Sequence, residues 1–214
     1  MSAGCCNHTG DPHRGNENYR RVLWAVLGIN AAMFAIEMAA SVAAGSASLQ
    51  ADALDFLGDA GNYAISLFVV GMALRYRAMA ALVKGATMGV FGVWVLGVTA
   101  WHVWHETLPS AVTMGAVGVA ALIANAASFG LLWAYRGGDA NMRSAWVCTR
   151  NDVLGNLAVL IAALGVFGTR TGWPDVIVAA IMAGLALQGA WVVLQQSLQE
   201  LRIAVRLLNT SRRL

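Results

Sequence analysis

TLPSAVTMGAVGVAALIANAASFGLLWAY, residues 107–135, carries no Asp, Glu, Lys or Arg from end to end. A membrane-spanning helix needs roughly 20 mostly apolar residues, and this stretch supplies them with length to spare. Residues 85–105 and 176–199 are equally uncharged, as are 60–74 and 153–169, and 22–51 carry only Glu37. Six helices are therefore predicted, over about 22–44, 49–74, 79–103, 109–135, 142–168 and 174–199.

Composition points the same way. Of 214 residues, 58% are hydrophobic and 12% charged, against about a quarter charged in a soluble domain. The expected fold class is an all-α integral membrane protein with six transmembrane helices and both termini cytoplasmic. The first apolar run follows a polar leader, residues 1–21, and precedes five more runs, so it is not read as a cleaved signal peptide. Orientation comes from the basic residues, which favour cytoplasmic segments. With both termini inside, those segments hold Arg14, Arg20 and Arg21; Arg75, Arg77 and Lys84; Arg136 and Arg143; and Arg202, Arg206, Arg212 and Arg213, leaving only Arg170 outside and Arg150 within the membrane. Trp101, Trp104 and Trp173 are expected at the outer interface, and Tyr76, Trp133 and Tyr135 at the inner one. The net charge of +3 reflects this bias and gives no footing for nucleic acid. With no Gly-rich phosphate loop, any energy source must be a gradient.

Against this background DALDFLGD, residues 52–59, places three aspartates inside an apolar run. Ionisable groups within spans are costly and mark cavities, partners or ion paths. Asp55 and Asp59 stand at i and i+4, on one helix face with about 5–6 Å between Cβ atoms. Asp52 is one turn nearer the outer surface. On the predicted fifth helix, CTRND (148–152) gives Cys148 and Asp152 the same spacing. Alone, Asp52 also reads as a helix cap or interfacial residue, and Cys148 as a small packed hydrophobe. As two pairs they can supply four ligands to one ion, and carboxylate with thiolate suits tetrahedral Zn²⁺ or the softer Cd²⁺ rather than Mg²⁺ or Ca²⁺.

The chain resembles the cation diffusion facilitator family over about residues 28–200. NAAMFAIEMAASVAAGSASLQADALDFLGD (30–59) is similar to the family's Asn and Glu in helix one, then Gly-Ser-x-Ser-Leu, then an Asp leading into (H/D)xxxD. NMRSAWVCTRNDVLGN (141–156) resembles Asn-x-Arg-x-Ala followed by HxxxD, and HETLP (105–109) and Asn125 also look like the family. Matched residue by residue, the resemblance implies a transport site of Asp55, Asp59, Cys148 and Asp152. It further implies a homodimer exchanging divalent transition metals for protons and exporting them from the cytoplasm. Zn²⁺ or Cd²⁺ would then be transported substrate, with no cofactor, and the setting a bacterial cytoplasmic (inner) membrane.

Three departures matter. Cys148 stands where the family has histidine. The chain stops shortly after the sixth predicted helix with a short basic tail, 201–214, where most members continue into a cytoplasmic domain, so dimerisation is expected through the membrane helices. Gly85 and Gly89 in GxxxG spacing, with Gly92, offer such an interface, or else close packing within one protomer. Arg150 is the third departure: two residues from either ligand is about 200° round the helix. It is expected to pair with Glu37 or Asp52, or to neutralise surplus site charge.

Asp52 is read as an accessory metal ligand, as are Cys5, Cys6, His8 and His13 of the N-terminal tail, a segment that equally reads as a disordered leader with reduced thiols. His102 and His105, with Glu106, form either an exit-side cluster or interfacial polar groups. The three cysteines give no disulfide framework.

Three carboxyls and a thiol in a low-dielectric site cannot all stay ionised when empty, so the site must hold protons or metal. One site holding either, open alternately to each side, is an antiporter, a secondary transporter and not an enzyme. Two other classes stay open: an intramembrane metalloenzyme or haem protein ligated by His102 and His105, and a metal-sensing membrane subunit that moves nothing.

Overall fold

The computed structural model describes residues 17–68, 73–134 and 140–211; for residues 74, 77, 140–148, 150–151 and 205–211 the description is of the backbone alone. Within these residues the chain forms six helices: α1 (Glu17–Ala44), α2 (Ala47–Phe68), α3 (Leu74–Trp104), α4 (Ala111–Trp133), α5 (Ala140–Thr169) and α6 (Trp173–Ser211). α6 runs about three turns beyond the apolar limit near 199. The segment LQELRIAVRLLN consists almost wholly of good helix formers, which hydropathy does not register. The basic segment expected as a tail is thus, up to Ser211, a continuation of α6.

α1 ends because Gly45 turns left-handed (φ +64°), a conformation that costs glycine nothing. Gly45 N–H donates to Val42 O and Ser46 N–H to Ser41 O, the paired bonds of a Schellman stop. Ser46 then starts α2 at once, its Oγ accepting the Leu49 N–H at 3.2 Å as an N-cap. The turns 45–46, 105–110 and 170–172 gather at one end of the bundle. Ser110 N–H donates to Ala44 O at 2.9 Å, and a Cβ on Gly172 would sit 2.3 Å from Thr107 O. Glu106 and Arg170, both non-glycine residues with positive φ, make the other two turns.

α2 lies among the others, touching α1, α3, α5 and α6, and is buried continuously from Ala47 to Phe56. By length and apolarity α1, α3, α4, α5 and α6 each qualify to cross a membrane. α2 is long enough, its 22 residues rising about 33 Å. It does not qualify with the others because Asp52, Asp55 and Asp59 fall together in every 18-residue stretch of it. Its neighbours, not lipid, surround those side chains.

Outward-facing residues such as Val90, Trp94, Ile161, Leu164 and Ile181 are exposed and apolar, as acyl chains require. Trp101, Trp104 and Trp173 are exposed near the turn end, and Tyr76 and Trp133 near the opposite end. Tyr135 lies outside the described residues.

The glycine stripe of α3 is used inside the protomer. Cβ atoms on Gly85, Gly89 and Gly92 would meet Val193, Ala190 and Leu187 of α6 at 3.1, 3.9 and 2.9 Å. The expectation of a dimer interface on this stripe is corrected accordingly: α6 already fills the groove.

Candidate metal site between α2 and α5

α2 and α5 run antiparallel, and their facing residues form a ladder of polar side chains in the bundle interior. At the turn end Asn156 Nδ2 donates to Asp52 Oδ2 at 2.8 Å. One turn further along, the Asp152 carboxyl comes within hydrogen-bonding reach of both Asp55 and Asp59. Beyond them Tyr63 OH and Thr149 Oγ1 bond at 2.8 Å. Asp55, Asp59 and Asp152 are all buried. Gly155 lies against this group, a Cβ there falling 3.9 Å from Asp55 Oδ2, at ordinary contact distance.

Three of the four predicted ligands are therefore brought together from two helices. Among the described residues no three carboxyl, thiol or imidazole groups close around a common point; Asp152 reaches each of the other two singly. Cys148 lies on α5 one turn before Asp152, on the Thr149 side of the ladder. Its side chain, that of Arg150, and the tail residues Cys5, Cys6, His8 and His13 lie outside the described residues.

Three buried carboxyl groups in contact cannot all be bare anions, because desolvation and mutual repulsion both oppose it. The arrangement can hold a divalent cation or protons. At its inner margin Asp59 lies within reach of Asn62, and Lys84 is close enough to act on its charge. Lys84 Nζ itself donates to Asn62 Oδ1. A cleft of about 460 Å³ between α2 and α3, lined by Gly61, Lys84 and Met88, opens beside this pair.

Several expectations are corrected. Asp52 is neither a cap nor an interfacial residue. It is fully buried, bonded to Asn156 and within hydrogen-bonding reach of Glu37 on α1. His102 and His105 do not form one cluster: His105 stacks on Trp101 at 3.7 Å and faces outward, while His102 is buried. His105, the C-cap of α3, is held by its stack on Trp101 and by a bond from its ring to Trp101 O, away from the buried His102, so the haem reading loses its ligand pair. His102 instead lines a cavity of about 350 Å³ at the turn end with Glu106 and Arg170.

The sequence reading missed Asn156, Asn62 and Asp175. Asp175, in the first turn of α6, accepts from Ser46 Oγ (2.7 Å), Ala47 N (2.9 Å), Ser48 N (3.1 Å) and Ser48 Oγ (2.5 Å). This explains the Gly-Ser-x-Ser-Leu stretch physically: Gly45 turns, Ser46 and Ser48 clamp, and Leu49 enters a core cluster with Met114 and Val159. A lone Asp in an otherwise uncharged 171–199 was the available signal.

Residues 23–202 match the cation efflux transmembrane domain. The chain is 30% identical over 216 residues to the zinc transporter ZitB of Escherichia coli (strain K12), covering 91% of this chain and 66% of that protein. It is 28% identical to the zinc transporter ZitB of Pectobacterium atrosepticum, over 91% of this chain and 64% of that protein. It is 26% identical to the metal cation efflux system protein CzcD of Cupriavidus metallidurans, over 94% and 66%. The chain thus spans about two thirds of the length of these curated relatives. With a match over nearly its whole helical bundle, this membrane-embedded all-α chain belongs to the cation diffusion facilitator, or cation efflux, family.

Proposed function

We propose that the chain carries divalent transition-metal ions, Zn²⁺ or Cd²⁺, out of the cytoplasm in exchange for protons, across a bacterial cytoplasmic membrane. The observation that carries this reading is the meeting of Asp55 and Asp59 with Asp152 in the bundle interior. Cys148, one turn away on α5, supplies the fourth ligand. Ligands must be deprotonated to bind metal, so each ion entering expels protons, and exchange is inherent in the site. The names of the relatives, zinc transporter and metal cation efflux protein, support the substrate class. Arg20, Arg21, Arg75 and Arg202 at the end opposite the turns favour a cytoplasmic placement of that end. A homodimer would assemble through helix faces other than the α3 glycine stripe.

Purified protein in proteoliposomes should take up Zn²⁺ and Cd²⁺ only when a pH gradient of the right sign is imposed. Metal binding without flux under any gradient would instead favour a sensing subunit.

A further inference from the structure

Glu37 is the one charged residue of the described α1 beyond its first two turns, and it is fully buried. Neither Oε1 nor Oε2 has a hydrogen-bond partner among the described residues. Its carboxyl lies within hydrogen-bonding reach of Asp52, whose Oδ1 is likewise unpartnered. Among the described residues no donor bonds Glu37 Oε1, Glu37 Oε2 or Asp52 Oδ1. Asn125 Nδ2 donates to Asn156 Oδ1 at 2.8 Å, and Asn156 Nδ2 donates to Asp52 Oδ2 at 2.8 Å. One N–H of each amide is thereby used in the chain Asn125–Asn156–Asp52, which leads to the Glu37 carboxyl.

Orphaned buried oxygens of this kind need a proton or a cation. Each packed helix contributes groups that face the pair. α2 brings Asp55, a second negative group acting on Glu37. α4 brings Asn125, through its bond to Asn156, and carries no titratable side chain. α5 brings Asn156 and, one turn further, Asp152. Among these described residues every charged group is acidic.

We propose that Glu37 and Asp52 form a proton-holding carboxyl pair, separate from the metal ligands, which releases its proton when a divalent ion occupies Asp55, Asp59 and Asp152. A proton between the two carboxyls supplies the donor that these oxygens lack among the described residues and removes one of two adjacent negative charges. Asp52 stands one turn from Asp55, and Asn156 one turn from Asp152, so a 2+ ion arriving there favours the ionised pair. The exchange balances: M²⁺ enters the site, the shared O–H bond breaks, its electron pair stays on the carboxylate, and H⁺ leaves to water. The pair thus adds one proton to those the ligands themselves expel. This rests on the transport reading for its metal step alone; the proton on the pair does not depend on it.

Two measurements separate the parts. Infrared spectra of the metal-free protein near neutral pH should show a buried protonated-carboxyl band that Glu37→Gln diminishes. Calorimetric Zn²⁺ titration in buffers of different ionisation enthalpy should show about one proton fewer released per ion in Glu37→Gln than in the wild type, with Zn²⁺ affinity changed less than about tenfold. Asp52→Asn carries the same expectations and serves if Glu37→Gln does not fold. An unchanged band and an unchanged proton count in the variant that folds overturn the proposal, as does loss of Zn²⁺ binding from a folded variant. Failure of wild-type flux with the band difference intact would count against the transport reading alone.

Discussion

Asp175 and Ser48 stand 127 positions apart and are joined by two hydrogen bonds, one to Ser48 Oγ at 2.5 Å and one to Ser48 N at 3.1 Å. With Ser46 Oγ and Ala47 N, the same carboxylate satisfies four donors at the start of α2. It also counters the positive end of the α2 dipole. Asp175→Ala would leave those donors without a partner, at about 1–3 kcal/mol for each that water cannot reach. We expect a loss of at least about 3 kcal/mol, read as a lower unfolding temperature in detergent, with Asp175→Asn in between.

The ladder predicts what ligand loss does. Asp59→Ala and Asp152→Ala should each weaken Zn²⁺ or Cd²⁺ binding at least about tenfold, or about 1.4 kcal/mol. Calorimetry returning wild-type affinity for both would remove the metal assignment.

Sulfur prefers softer ions, so Cys148→His should keep Zn²⁺ flux while the Cd²⁺ to Zn²⁺ flux ratio falls. An unchanged ratio would make Cys148 a packed thiol and not a ligand.

Gly172 and Gly168 make a controlled pair. A Cβ on Gly172 would lie 2.3 Å from the Thr107 carbonyl oxygen, whereas one on Gly168 meets nothing within 4 Å. Gly172→Ala should therefore cost about 2 kcal/mol or more through displaced backbone. Gly168→Ala should be neutral or slightly stabilising. Thermal unfolding of the two variants side by side tests this.

Because α6 fills the α3 groove, Gly85→Cys and Gly89→Cys should yield monomer only in crosslinking of otherwise cysteine-free protein. Efficient dimer formation at either position would restore the interface that the packing against Val193 and Ala190 excludes.

The helices were legible because uncharged runs such as 107–135 admit few other structures, and the α2–α5 meeting because Asp55, Asp59 and Asp152 are conspicuous inside apolar sequence. What the sequence hid was partnership between uncharged or distant groups. Asn156 looks unremarkable until it bonds Asn125 across α4 and α5, and Asn125, though it resembles a family position, shows no partner in the sequence. Asp175 reads as an ordinary first-turn acid until α2's serines meet it. The glycines of α3 could equally face a second protomer or α6, since spacing specifies close approach but not the partner. His102 and His105 were grouped by proximity in the chain, whereas the end of α3 turns His105 outward onto Trp101.

The sheathing of α2 has a consequence for how the chain is made. Each of its aspartates costs roughly 2.5–3.5 kcal/mol near the bilayer centre by insertion scales, more than its apolar residues readily offset. α2 is therefore poorly suited to enter lipid as a solitary segment during synthesis. α1, apolar and packed along it, is the partner already at hand when α2 emerges, so the two would insert as a hairpin. The carboxyls facing α5 must then wait in a hydrated or protonated form until the fifth helix arrives, which makes assembly of the bundle, and not the insertion of any one helix, the step that completes the site.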